Sequence, residues 1–288
     1  MSKVISLFAL PTEIDELEQG LIHLKRCFNF VSEEDYIVDF TVCVSNEMVD
    51  WDNSTLPKEF FIDKVELLNN LGNNFKGRTS EEIIGVVDQR RFTWEHYQDA
   101  SHFIWFDPDI IFPDSILFYL ENAIFKIEQI DPLHVISPEI VRIWDNTWDC
   151  LVNKDFLNKD IGYYKNNDPY KDCTIRGEVS VSQVINNIPN QPPMKFGGGL
   201  FTCISKKMLD LVTIPKELGS YGLEDTLIMY ACGKLNKGIQ FKLNNIVVGE
   251  NYTYKTNLYL KKYVSLKDRR EEFTTQANQG FIKYLTNL

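Results

Sequence analysis

Nothing in this sequence pairs its cysteines for a metal or for a disulfide framework. The six cysteines stand at 27, 43, 150, 173, 203 and 232, with no C-x-x-C among them. The four histidines, at 23, 96, 102 and 134, do not cluster with them. This pattern argues against a zinc site. Cys43 and Cys203 lie in apolar runs and read as buried free thiols, which fits a reducing, cytoplasmic compartment. No apolar stretch approaches the length needed to span a bilayer, so no transmembrane segment is expected. The first residues, MSKVISLFALPTEIDE, hold a short apolar run and then acids, without the longer apolar segment and small-residue cleavage site of a secretory signal. Positive charge is also scarce: 30 Lys and Arg stand against 41 Asp and Glu, for a net charge of -11. Such a surface repels phosphate backbones, so nucleic acid is not expected as a partner. A small phosphorylated ligand stays open, because one bound cation can invert the local field.

What is present suffices for a full core. The chain has 288 residues, 44% of them hydrophobic, enough for one large α/β domain or two small ones. Val4 to Leu10 is a continuous apolar run closed by Pro11, the signature of a buried parallel strand. A helix follows over 12–28, with Thr12 and Asp15 resembling a capping box. Tyr36 to Val44 reads as a second strand and Glu59 to Leu71 as a helix. A Gly/Asn loop follows, with Glu81 to Val87 a short strand or helix and Phe92 to Gln98 helical. Ser101 to Phe106 is the most convincing strand, ended by Asp107-Pro108-Asp109, since Pro108 cannot donate to a ladder. A helix opens at Pro113-Asp114-Ser115, and His134 to Ile136 is another strand. Alternating strands and helices predict an α/β fold with a mostly parallel, twisted central sheet flanked by helices. Sites in such sheets lie outside the carboxyl ends of the strands.

The composition changes over 153–193, where Asn, Lys and Asp dominate, and this reads as a long irregular excursion. An ordered block then resumes at Phe196, with helices at 205–212 and 224–232 and a strand at 241–248. The expected organisation is one catalytic domain over 1–255, divided into a donor-binding half (about 1–150) and an acceptor-binding half (about 150–255). A helical extension over 256–288 packs on it. The basic residues of that tail, from Lys261 to Arg270, read as a solvated face.

Two acidic triplets occur, Asp50-Trp51-Asp52 and Asp107-Pro108-Asp109. Such triplets arise by chance at about one or two per chain of this Asp content, so context must separate them. The second follows an apolar strand and precedes Ile110-Ile111-Phe112. Two hard oxygen ligands there suit Mg²⁺ or Mn²⁺, though a turn with Asp caps explains the same residues. Gly219-Ser220-Tyr221-Gly222-Leu223-Glu224-Asp225 puts two acids at a helix start, where capping alone favours them and where one can also act as a general base. Gly197-Gly198-Gly199 permits close backbone approach and lacks the Lys-Ser/Thr of a P-loop. Trp144-Asp145-Asn146-Thr147-Trp148-Asp149 offers sugar-stacking indoles with acids, or indoles that simply pack.

Taken together, SHFIWFDPDIIFPDSILFYLENAI and FGGGLFTCISKKMLDLVTIPKELGSYGLEDTLIMYACGK resemble the two signature blocks of the GT-A (Rossmann-like) nucleotide-sugar glycosyltransferases, of the family 2 and galactosyltransferase type. The resemblance spans roughly residues 3 to 250, with sharp motifs only in the two blocks. It implies a metal-dependent hexosyltransferase, inverting, with a UDP-sugar donor, a glycan or glycoconjugate acceptor and Mn²⁺ or Mg²⁺ as cofactor. Asp107 and Asp109 would hold the metal, Asp109 more directly. Asp225 would be the base, and Glu224 would orient the acceptor or its neighbours. Leu10, Pro11, Asp50 or Asp52, Asp107, Gly198 and Gly199 would border the donor. Beside the resemblance, Trp144, Asp145 and Trp148, by their own stacking and hydroxyl-holding chemistry, and Tyr221 are the candidates to meet the acceptor. The family's third metal ligand, often a His after the last strand, has no counterpart, and Glu250 or Asn251 stands there. A sugar-phosphate nucleotidyltransferase would show a Gly-rich, basic loop after the first strand, which Leu10-Pro11-Thr12-Glu13-Ile14 lacks. A non-catalytic glycan- or nucleotide-binding module on the same fold is the third reading.

Overall fold

The first strand, β1 (Lys3–Ala9), is buried along nearly its whole length. In the computed structural model it lies between β2 (Tyr36–Cys43) and β4 (His102–Phe106), both parallel to it. The structure describes residues 1–54, 56–140, 142–144, 150–152, 181–183, 199–233, 235–250 and 266–285. The remaining elements are α1 (Ile14–Cys27), α2 (Lys58–Asn69), β3 (Phe75–Ser80), α3 (Val86–His96), β5 (Ile110–Ile111), α4 (Ile116–Glu128), β6 (His134–Ile140), β7 (Arg142–Trp144), β8 (Cys150–Val152), β9 (Val181–Gln183), β10 (Phe201–Ser205), α5 (Lys206–Val212), α6 (Glu224–Gly233), β11 (Ile239–Glu250) and α7 (Leu266–Leu285).

The main sheet runs β3-β2-β1-β4-β10-β6-β11-β5, with β9 on β11. Leu7 pairs with Phe40 on one side and Phe106 on the other. The order of strands therefore reverses at β1 and β4, which makes a crevice beyond their carboxyl ends. Helices cover both faces, which explains strands without polar alternation. Leu17, Phe61 and Leu117 of α1, α2 and α4 share a core with Ile5 and Leu7. Val87, Met208 and Leu227 of α3, α5 and α6 share another with Val4 and Phe103. Cys27, Cys43, Cys203 and Cys232 are buried free thiols, and no helix among the described residues is long and apolar enough to cross a membrane.

The structure departs from the sequence-based expectation in four places. Phe75–Ser80, expected as loop, is the edge strand β3; only Phe75 is buried there, so no apolar run announces it. The helix expected from Phe92 begins at Val86. The first helix is not capped by Thr12 and Asp15: Pro11–Glu13 form a short 3-10 turn, and Glu13 closes back onto Leu10 N–H at 2.8 Å. Finally, β10 runs antiparallel to both β4 and β6, so the start of β10 shares an edge with the end of β4.

Candidate active site

Asp107-Pro108-Asp109 leaves β4 at the point where the strand order reverses. Asp107 N–H donates to Leu200 O at 3.1 Å, which ties the turn to the start of β10. Ile110 and Ile111 then pair with Glu250 and Gly249 at the end of β11. That register brings the backbone of Glu250 beside the residue following Asp109. Asn251 lies outside the described residues.

Arg90, which sequence reasoning missed, joins the motifs. It sits on α3 with only 2% of its surface exposed. One guanidinium nitrogen donates to Asp107 Oδ1 at 3.1 Å and to Gly199 O at 2.8 Å. The other pairs with Glu224 Oε1. The cation also lies 4.8 Å from the centre of the Trp105 ring, a favourable contact with its negative face. A Cβ at Gly199 would come within 2.8 Å of Arg90 Nη1, so glycine makes room for this crossing. Arg90 therefore gathers the first acid of the D-x-D turn, the last glycine of the triplet and the first acid of the Glu-Asp pair. Its neighbour Arg91 donates to Ile214 O, Pro215 O and Gly219 O at 3.0–3.1 Å, which aligns the segment leading to Glu224.

Glu224 is buried against Arg90, so its described contact is with that cation. Asp225 is more open. Its Oδ1 accepts from Thr226 N at 2.5 Å and Thr226 Oγ1 at 3.2 Å. Burial first, and the Glu224 charge second, push its carboxyl up to about 6, against the pull of Arg90 and the Thr226 bonds. A carboxylate in that range suits proton abstraction near neutral pH better than an ordinary Asp.

The second residue sequence reasoning missed is Glu13. Burial, then the charge of Asp109, push its carboxyl up to about 8, with Glu16 and Asp107 adding to the push. Among the described residues, no group of three or more His, Cys, Asp or Glu is arranged to hold a metal by itself. The donor set nevertheless fits a phosphate-borne divalent ion, which takes one or two carboxylates and completes its shell with water and phosphate oxygens. The charges of Asp109 and Asp107, which add to the effect of burial on Glu13, are the field such a cation relieves.

Of the other expected residues, those after β1 and β2 lie along the same edge. Leu10 and Pro11 are buried directly after β1. Asp50 and Asp52 are exposed on the loop beyond β2. Tyr221 stacks on Phe273 of α7, ring centres 6.2 Å apart, within an apolar cluster that includes Leu10. Trp144 ends β7, while Asp145, Trp148 and Gly198 lie outside the described residues.

No family model matches the sequence, and no curated protein matches it. Among solved structures, residues 1–349 of S. aureus TarS superpose with a TM-score of 0.50 at 13% identity, covering 98% of this chain and 72% of that one. GalNAc-T7, solved with UDP, GalNAc and Mn²⁺, gives a TM-score of 0.48 at 13% identity over 87% of this chain. The matched region is 44% of the GalNAc-T7 chain. The fold is the α/β GT-A fold that the sequence motifs implied.

Proposed function

We propose that this chain is a glycosyltransferase that moves a hexose from a nucleotide sugar, UDP-linked in the leading reading, to a hydroxyl of a glycan acceptor. The observation that carries this reading is the Arg90 junction. It draws Asp107, Gly199 and Glu224-Asp225 together at the strand-order reversal, from three separate stretches of sequence. In this reading Asp225 takes the proton from the acceptor hydroxyl. The acceptor oxygen then forms its bond to the anomeric carbon from the face opposite the nucleotide. The carbon–oxygen bond to the diphosphate breaks, and its electron pair leaves with the nucleoside diphosphate, inverting the anomeric centre. Asp109, with Asp107, would hold a Mn²⁺ or Mg²⁺ ion that neutralises the departing diphosphate. Arg90 holds Asp107 and Glu224 in place, and Glu224 acts through Arg90 on the geometry around Asp225.

Leu10-Pro11-Thr12-Glu13, with a carboxyl folded onto Leu10 N–H, offers neither the glycines nor the cation of a nucleotidyltransferase loop, which disfavours that alternative. The proposal is tested by thermal shift with UDP. UDP should raise the melting temperature in the presence of Mn²⁺ or Mg²⁺ and not after chelation. Equal stabilisation in both conditions would remove the metal bridge. Hydrolysis or transfer from UDP-hexoses, assayed in parallel, separates an enzyme from a binding module.

A further inference from the structure

The helix α7 lies outside the sheet, yet its inward stripe meets the site from two directions. Phe273 is 4% exposed and enters the cluster of Leu10, Met48 and Val49 beyond β1 and β2. Tyr221, on the loop before Glu224-Asp225, stacks on the same ring. About two turns further along α7, Gly280 faces Glu217. A Cβ there would stand 2.0 Å from Glu217 O, so the two backbones are in direct contact. Tyr284, at the far end, donates to Val212 O and lies 3.1 Å from Thr213 Oγ1.

The segment bridged by these contacts is bracketed by two residues that resist their own conformation. Thr213 has φ 63° and Leu223 φ 69°. Neither is glycine, and left-handed backbone is disfavoured for a branched side chain such as Thr213. Such residues persist where their surroundings over-determine them. Tyr284 supplies that hold at Thr213. Phe273 supplies it two residues before Leu223, by way of Tyr221.

We propose that α7 is a working part of the site, in which Phe273 and Gly280 are positioning residues that hold segment 213–223 in the conformation presenting Glu224 and Asp225. The catalytic consequence rests on the transferase reading; the structural hold does not. The test is hydrogen exchange by mass spectrometry on the full chain, comparing wild type with Phe273→Ala, Phe273→Leu and Gly280→Ala. Phe273→Ala and Gly280→Ala should speed exchange over 213–226 about tenfold or more, as expected for local release. Peptides over 3–9 and 102–106 should be unchanged, and Phe273→Leu should restore most of the protection. In the transfer assay, both variants should lower kcat by about tenfold to a hundredfold, and Gly280→Ala, which contacts Glu217 rather than the Leu10 cluster, should do so with donor KM unchanged, because misplaced groups lose rate before binding. Unchanged exchange over 213–226, or equal acceleration in all peptides, overturns the proposal. So does an unchanged kcat beside the expected exchange. A wild-type protein that transfers no sugar overturns the transferase reading alone, and exchange then decides the role of the helix by itself.

Discussion

Arg90 and Glu224 form an ion pair inside the domain, with side chains 3% and 2% exposed. Two opposite charges so far from water stabilise each other only while both are present. Removing one strands the other, at a cost of about 3–5 kcal/mol. Arg90→Gln is therefore expected to lower unfolding stability by about that much, measured by urea titration. The double variant Arg90→Met/Glu224→Leu should recover most of the loss, because neither member of the pair is left without the other, and should transfer sugar more slowly than wild type. Full activity in the double variant would show that the junction serves only stability.

Asp225→Asn is expected to leave UDP binding intact and to cut transfer by about 10²- to 10⁴-fold, the usual weight of a general base. The wild-type rate should fall as pH drops through about 6, where the Asp225 carboxyl takes up its proton. The Arg90 charge lowers that value, so Arg90→Gln, which keeps the Glu224 charge, should show its residual transfer falling off at higher pH. A rate independent of pH between 5 and 7 would remove Asp225 from the base role.

Glu13 makes the opposite kind of prediction, one of stability. In the folded protein its carboxyl keeps its proton up to about 8, whereas an ordinary Glu releases it near 4.5. The folded state therefore binds the extra proton, and stability falls as pH rises from 4.5 through about 8. Glu13→Gln keeps an oxygen for Leu10 N–H and loses the charge. At pH 8 it should melt about 2–4 °C above wild type, the shift that ~1 kcal/mol produces in a chain of this size. Mn²⁺ should narrow the gap, since a cation at Asp109 relieves the repulsion on the Glu13 anion.

At the other end of β4, His102 and His134 face each other, Nε2 to Nε2, at 3.1 Å. His134 Nδ1 donates to Asp131 O at 2.7 Å, so its Nε2 must accept from His102, whose Nδ1 in turn meets Ser101 Oγ. With both rings neutral, every donor in this chain has an acceptor. Burial, then His134 and Lys3, push His102 down to about 3 from 6.5. Its contribution to stability is whole above pH 6.5 and is lost as pH falls toward 3, by up to ~1.4 kcal/mol per unit. Unfolding titrations at several pH values between 7 and 4.5 should show a flatter slope for His102→Gln than for wild type. Equal slopes would mean that the histidine is not the titrating group.

The acids of the site were legible because their positions were marked from outside. Asp107 and Asp109 end the apolar run His102–Phe106, and Glu224 and Asp225 open a helix after two glycines. Arg90 carried no such mark. The buried face of α3 is Val87, Gln89, Arg90 and Thr93, mostly polar, so the apolar period that announces a helix is missing and the sequence pattern puts its start six residues late. Those polar residues are inside because they have partners. Gln89 donates to Asp39 Oδ1 at 2.8 Å, beside the Arg78–Asp39 pair. Glu13 was hidden for a related reason. An acid in a first helical turn is usual, and only the fold reveals that Asp109 stands near it. The antiparallel direction of β10 was also beyond the pattern, since a strand buried on both faces reads alike in either direction.

That direction makes the two ends of β10 unequal as places to alter the chain. A residue added just before Phe201 shifts Leu200 and Gly199, and through them the partners of Asp107 and Arg90. A residue added in the turn between Gln129 and Leu133 meets the sheet at its opposite edge, beside the histidine pair. Length variation is therefore expected to change catalysis at the first place and acid stability at the second.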